Sequence, residues 1–252
     1  MRIERLYRYP VKGLTPEALD AASVEPGGTL PWDRAFALAQ GDAPFDPAAP
    51  RWLKKTWFMC LMVNARIAAL RSSFDESSGR LTIAAPDGEA ITAPALTEAG
   101  RARIAAWLSA FLGDDARGSP IFHYVPGHSF SDQSRKVVSL INLASLGDLE
   151  RRVGSRRHKR RFRANVYFSG AAAWSEHDWI GRQIMVGGAR LRVFRRINRC
   201  PATEVNPETA ERDADPVAEL RAAFGHSDLG IHAIVEDGGE IEVGAAMALL
   251  PD

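Results

Sequence analysis

The feature that most restricts the fold is a succession of short strand-like segments, at 34–39, 65–70, 80–84, 121–125, 137–141, 164–168, 190–194, 231–236 and 240–243, separated by turn chemistry. Gly187-Gly188 stands between 183–186 and 190–194, and Asp237-Gly238-Gly239 stands between the last two segments. Glycine reaches positive φ without a Cβ clash, so both pairs are hairpin signals. Many short strands with tight turns predict a barrel or sandwich rather than a parallel sheet. Three helices interrupt the pattern. Thr97 caps one whose Ile104, Trp107, Leu108, Phe111 and Leu112 form an apolar stripe that stops at Gly113. Asn142 caps a second, with Leu146, Leu149 and Val153 on one side, Gly154 as the stop, and Arg151 and Arg152 in the last turn. Asp215-Pro216 opens a third that ends at Gly225. The expected class is α+β, mostly β. It divides at 113–120, with the Pro- and Ala-rich residues 42–50 as an exposed loop.

A chain of 252 residues has room for one large domain or two small ones. Its 46% apolar and 25% charged residues are ordinary for a globular protein, and a net charge of +1 argues for neither nucleic acid nor a membrane surface. Two cysteines cannot make a disulfide framework, which favours a reducing compartment. The start Met1-Arg2-Ile3-Glu4-Arg5 has no signal-peptide pattern, and the longest apolar stretch, around Trp57 to Val63, is too short to span a bilayer. A cytoplasmic protein is expected.

Cys200 follows a strand-like segment and precedes a turn-rich one, a position from which a scaffold can aim a functional side chain. Arg199 beside it favours the thiolate, the form that ligates metals or attacks electrophiles. A free cysteine is more often a small buried hydrophobe, so on these residues alone both readings stand. Cys60 lies in the apolar run from Trp57 to Met62 and is expected to be buried. Arg163 and Asn165 sit two apart on one strand face, a pairing suited to a phosphate or a polar heterocycle. Spacing alone equally describes an exposed strand start with a solvated arginine. The basic run from Arg151 to Arg163 lacks interleaved aromatic residues, so a solvated helix end, or a docking surface for an acidic redox partner, fits better than nucleic acid. The histidines have no metal-ligand spacing. HExxH, CxxC, GxxxxGK[ST] and GxSxG motifs are absent, which sets aside zinc hydrolases, P-loop enzymes and α/β-hydrolases.

Taken together, the motifs resemble a known family. Arg199-Cys200-Pro201-Ala202-Thr203-Glu204-Val205-Asn206-Pro207 is similar to the RCxxTxVDP signature of MOSC domains. These occur at the C-terminus of molybdenum cofactor sulfurases and in molybdenum enzymes that reduce N-hydroxylated compounds, including the mitochondrial amidoxime-reducing component. Tyr9-Pro10-Val11-Lys12-Gly13 resembles the YPVKG/S start of the family's N-terminal β-barrel, and Trp32-Asp33-Arg34 resembles its DR motif. Phe130-Ser131-Asp132-Gln133-Ser134, followed by Ser139 to Leu146, resembles the aspartate-bearing loop and Ser-rich helix start. Arg161-Phe162-Arg163-Ala164-Asn165 resembles RFRPN, with Ala164 at the proline. Leu229-Gly230-Ile231-His232 and 238–244 resemble the closing hairpin. Asn206 replaces the usual aspartate, Gly244-Ala245 replaces Gly-Asp, and Trp52-Leu53-Lys54-Lys55-Thr56 does not align with the family's Gln/Arg-bearing segment.

The resemblance implies an N-terminal β-barrel domain over 1–115 and a MOSC domain over 120–252. It implies a molybdenum–pterin cofactor whose metal takes its protein sulfur from Cys200, with Asp132 near the pterin edge or the metal's open face. Lys12, Gly13, Arg34, Arg163 and Arg199 would gather around the anionic cofactor. Asn165, Ser139 and Ser145 would hydrogen-bond nearby, and Asn142 would add a helix N-terminus. The implied activity is reduction of a small N-hydroxylated substrate. Electrons would come from a separate redox protein, since the chain shows neither a ferredoxin-type cysteine cluster nor a Gly-rich dinucleotide loop. The alternatives are a stand-alone cofactor or sulfur carrier using a Cys200 persulfide, and a scaffold that has lost the cofactor. A full sulfurase would need a pyridoxal-phosphate desulfurase domain, for which this chain is too short. Neither nucleic acid nor membrane is an expected partner.

Overall fold

The computed structural model describes residues 1–251. In chain order the first strands are β1 (Arg2–Arg8), β2 (Glu17–Leu19), β3 (Ala21–Val24), β4 (Phe36–Ala39), β5 (Arg71–Asp75), β6 (Arg80–Ala84) and β7 (Ala90–Pro94). Helix α1 (Glu98–Leu112) follows, then β8 (Ile121–Tyr124), β9 (Val138–Asn142), α2 (Leu143–Val153) and β10 (Val166–Ser169). The chain ends with β11 (Gln183–Val186), β12 (Ala189–Asn198), α3 (Pro216–Phe224), β13 (Asp228–Asp237), β14 (Gly239–Glu242) and β15 (Met247–Leu249). This is an α+β protein, mostly β. Its principal sheet has eight strands in the order β15-β11-β12-β13-β9-β10-β1-β2, antiparallel except for the β9–β10 pair that α2 bridges. The smaller sheets are β14–β3, β4–β8 and β5-β6-β7.

Local chemistry places the helices. Thr97 Oγ1 accepts from the Gly100 amide at 3.1 Å, the Asn142 side chain from Ala144 at 3.0 Å, and Asp215 from Ala218 at 2.9 Å. Each satisfies one of the orphan donors at a helix start. Gly154 and Gly225 close α2 and α3 in the left-handed region. The Gly187-Gly188 turn joins β11 to β12 as a hairpin, with Val186 opposite Ala189.

Two expectations are corrected. Residues 65–69 form a short 3-10 helix, not a strand, burying Ile67 and Ala68. Over so few residues, apolar spacing does not separate a strand from a turn of helix. The last two strands also form no hairpin: β14 leaves β13 and pairs antiparallel with β3. Gly238 and Gly239 serve close backbone approach here. A Cβ at Gly238 would meet the Val24 carbonyl oxygen at 2.6 Å, and one at Gly239 the Gly188 carbonyl oxygen at 2.3 Å.

Two large cores result. Residues 58–112 contribute Met59, Leu61, Ile67, Phe74, Leu81, Ile83 and Leu108 to one, around Phe36 and Phe122. The other gathers Val138, Leu140, Val166, Leu191, Val193 and Ile231. Ile3 and Leu6 of β1 and Val24 of β3 belong to that second core. The N-terminal strands are therefore stitched into the sheet of the C-terminal half, and Val11 then hands the chain to the first core. No helix among the described residues is long and apolar enough to cross a membrane.

Candidate functional site

The seam between the two cores opens into a cleft of about 200 Å³. Strand β12 delivers Arg199 and Cys200 at its end. The turn after β1 delivers Lys12 and Gly13, and the segment before β9 delivers Asp132. Gly13 has φ +87, and a Cβ there would come within 2.9 Å of Ile67 Cδ1. Arg34 and Arg163 both adopt positive φ, 56° and 50°. A non-glycine residue in that region costs about 1–2 kcal/mol, so the surrounding structure must hold each of them there.

Their guanidinium carbons each lie 4.3 Å from the Tyr9 ring centroid, which ties the two cations to one buried phenol. Burial pushes the Tyr9 hydroxyl up to about 12 against the pull of both arginines. Arg34 donates to Asp33 at 2.5 and 2.6 Å and to the Arg163 carbonyl at 3.0 Å. Arg163 in turn donates to the Leu14 carbonyl at 2.7 Å. Burial, then the neighbouring Arg34, lowers Arg163 to about 10. Arg199 is fixed by the Leu229 carbonyl, 2.9 Å from Nε, and the Phe162 carbonyl, 2.7 Å from Nη1. Asn165 Oδ1 accepts from the Ser139 amide at 3.1 Å and hydroxyl at 2.7 Å, locking β9 to the loop before β10.

Cys200 is half-buried, and the Nζ of Lys55, at the start of a short 3-10 helix, lies 3.0 Å from its sulfur. Lys55 also reaches Asp132 Oδ2 at 3.5 Å, and Asp132 makes a second ion pair with Lys12. Asp132 keeps about half of its side chain exposed at the rim, and the partial loss of solvent works against its ionisation. Lys12, Lys55 and Arg34 outweigh it and hold the carboxyl well below the usual range. Lys55 itself is raised, as Asp132 and the Cys200 sulfur overcome its own burial. His232 lines the cleft with no hydrogen-bond partner at its buried Nδ1. Burial, then Arg199, Arg195 and Arg34, drives it down to about 3, so the imidazole is neutral.

Six cationic side chains, Lys12, Arg34, Lys55, Arg161, Arg163 and Arg199, thus line the cleft against two carboxylates, Asp33 and Asp132. Five are tied to backbone carbonyls: Lys12 to Phe130, Arg161 to Glu204, and Arg34, Arg163 and Arg199 as above. Lys55 is held by side chains alone.

Of the residues singled out from sequence, Cys200, Asp132, Lys12, Gly13 and Arg34 line the cleft, as do Ser139, Arg163, Asn165 and Arg199. Asn142 and Ser145 do not. Both are fully buried and turned onto Glu176, whose carboxylate accepts from Asn142 Nδ2 at 3.0 Å and Ser145 Oγ at 2.7 Å. The expectation that they contact a cofactor is corrected accordingly, because their polar atoms are consumed internally. Sequence reading missed Lys55, Arg161 and His232. Lys55 stands 145 positions from Cys200 in a segment without an aligned motif, and nothing local marks it. Arg161 had a visible signal, the first arginine of Arg161-Phe162-Arg163.

Among the described residues, no group of three or more His, Cys, Asp or Glu is arranged to hold a metal ion. A metal already chelated by an anionic organic ligand needs only one soft protein donor and a cationic cradle. Cys200 and the surrounding cations are a donor set of that kind.

The family model for the MOSC domain matches residues 122–248, and that for the MOSC N-terminal β-barrel domain matches residues 1–116. The chain belongs to the MOSC family, which is associated with the molybdenum cofactor. It is 29% identical over 136 residues to the human mitochondrial amidoxime-reducing component 1, covering 48% of this chain and 39% of that protein. The mouse protein of the same name matches at 29% over 134 residues, covering 48% and 38%. The chain thus spans about two fifths of the length of these curated relatives. Among solved structures, the YUAD protein from Bacillus subtilis matches with a TM-score of 0.46 and 16% identity, over 98% of this chain and 93% of that one. YiiM from Geobacillus stearothermophilus matches with a TM-score of 0.36 and 21% identity, over 45% and 54%.

Proposed function

We propose that the cleft binds a molybdenum–pterin cofactor and that the protein reduces small N-hydroxylated compounds with electrons from a separate redox protein. The observation that carries this reading is the Cys200 sulfur, set in a cleft where cations from both halves of the chain converge. Cys200 would supply the thiolate to the metal, a soft donor beside the pterin's own sulfurs. Lys12, Arg34 and Arg163 would hold the anionic phosphate end. When bound, the cofactor supplies two-electron redox chemistry at the N–O bond. Overall, the substrate takes up two electrons and two protons and leaves as the N–H compound and water.

The chain's own residues prepare the place. Arg199, pinned by two carbonyls, fixes the strand end from which Cys200 emerges. The Ser139–Asn165 pair fixes the floor. Asp132 stays ionised at the rim and offers an acceptor to a substrate N–H or O–H. Lys55 offers a donor beside the sulfur. The amidoxime-reducing relatives support the substrate class.

Metal analysis and reduced-dye-driven turnover of benzamidoxime, on protein from a molybdenum-replete host, test the reading. Near-stoichiometric molybdenum and steady turnover are expected. Fully loaded protein that turns over no benzamidoxime removes the activity, and protein that takes up no molybdenum removes the cofactor as well.

A further inference from the structure

On strand β12, Ala189, Leu191 and Val193 are buried and Arg190 and Arg192 are less so; of three register shifts in its pairing with β13, one falls between Val193 and Arg195. Beyond the shift Phe194, Arg195 and Arg196 are exposed in succession. Irregularities of this kind re-aim side chains beside sites. Arg135 and Lys136, exposed in the segment before β9, complete a patch: the guanidinium of Arg135 lies 5.4 Å from the Phe194 ring centroid, and that of Arg195 lies 5.7 Å from it. Arg196 turns to the His177 carbonyl, at 3.5 Å, but among the described residues Arg135, Lys136 and Arg195 pair with no carboxylate, whereas Arg190 and Arg192 on the same strand pair with Asp237 and Glu236.

The patch borders the cleft. Arg195 donates to Gln133, which lines the cleft next to Asp132, as do Ile197 and Asn198 on β12. From Arg195 to Cys200 the chain advances five residues, ~17 Å at about 3.3 Å per residue.

We infer that Arg135, Lys136 and Arg195, around Phe194, form the docking surface for an acidic one-electron carrier protein that feeds the cleft. An apolar aromatic centre with a charged rim is the anatomy of a protein interface. Unpaired like charges steer an oppositely charged partner and suit brief, repeated encounters. A nucleic acid would need a track of stacking aromatics, and this patch offers a single aromatic ring, that of Phe194. The inference rests on the oxidoreductase reading. The balance closes with two dockings per turnover: two reduced carriers each lose one electron, two protons come from solvent, and the N–O substrate leaves as the N–H compound and water.

The test is calorimetric titration of the whole protein with a plant-type ferredoxin and with a flavodoxin, both acidic. Micromolar binding at about 25 mM salt should weaken about tenfold or more by about 300 mM. An Arg135→Glu/Lys136→Glu variant, its fold checked by circular dichroism, should weaken binding about tenfold. Arg103→Glu, on α1 of the other core, should leave it unchanged. Carrier-driven turnover should fall in the patch variant while dye-driven turnover, which needs no docking, holds. Absence of binding to both carriers overturns the inference, as does equal binding by the patch variant. Tighter, patch-dependent binding of single-stranded DNA would reassign the surface to nucleic acid and overturn it too. Patch-dependent carrier binding without dye-driven turnover would leave the docking surface standing and remove the N–O reductase reading.

Discussion

The Cys200 cleft and the cluster around Glu176 both gather polar side chains, and they do opposite things. In the Glu176 cluster the polar groups are matched. Asn142 donates to the Ala172 carbonyl and Glu176, Ser145 donates to Glu176, and the Trp174 amide donates back to Ser145. The group is closed and buried, and its polar atoms are used up in tying α2 to the 3-10 helix that carries Glu176. In the cleft, cations outnumber carboxylates and a thiol opens among them. Excess like charge held on strained backbone destabilises a fold unless an anion arrives. The closed bonding of Asn142, Ser145 and Glu176 therefore marks structure, and an excess of cations around an accessible thiol marks a candidate binding site.

The comparison breaks most directly at the two anchors. Cys200→Ala should remove bound molybdenum or leave an altered centre, and cut turnover of benzamidoxime about a thousandfold or more, while shifting the urea midpoint little. A Cys200→Ala protein that keeps both metal and rate would show that the sulfur is not the ligand. Glu176→Ala should do the reverse. It strands a buried amide and a buried hydroxyl, which costs roughly 3–4 kcal/mol in urea unfolding with turnover per folded molecule retained. Burial raises the Glu176 carboxyl against the Asn142 and Ser145 hydrogen bonds. Glu176→Gln, which keeps an acceptor without a charge, should recover much of the loss. Equal damage from both substitutions would mean the charge itself holds the cluster together.

What the sequence showed and what it hid follow the same division. Helix caps were legible because Thr97, Asn142 and Asp215 each bond an amide two or three residues on. The Gly187-Gly188 hairpin was legible because its signal is also local, a glycine at φ 59 in the turn. The role of Asn142 was legible only as a cap. Its amide finds Glu176 34 residues later, and no periodicity announces that. The pairing of β14 with β3 joins segments some 215 residues apart, and only the folded sheet brings them together. Cys200 stood out through a motif, whereas Lys55 emerged only when the first core packed against the end of β12.

Protonation sharpens the contrast within the closed region. His177, next to Glu176, is buried with no hydrogen-bond partner at Nε2. Burial, then Arg196 and His226, lowers it to about 4. An unfolded histidine titrates near 6.5, so below that pH the unfolded chain binds the proton first and stability falls. The loss should run from about pH 6.5 to about pH 4 and reach up to about 3 kcal/mol. Denaturant titrations of the parent and of His177→Gln across this range isolate the imidazole, since Glu176 titrates in both. Curves that stay parallel would show that His177 is protonated in the folded state at no cost.

Lys55 gives the smallest effect and the finest discrimination. It is the cleft cation that no backbone carbonyl holds, and about a quarter of its side chain is exposed, so solvent screens its contacts. Lys55→Met should therefore change urea stability by less than about 1 kcal/mol. Were a metal to take the Cys200 sulfur, the ammonium would keep Asp132 and could donate to an incoming oxygen. Its loss should lower kcat/KM for benzamidoxime about tenfold, with Lys55→Arg recovering part of it and molybdenum content unchanged in both. If Lys55→Met instead empties the cleft of metal, the lysine belongs with Lys12, Arg34 and Arg163 as part of the anion cradle, and the cleft has no cation left over to meet the substrate.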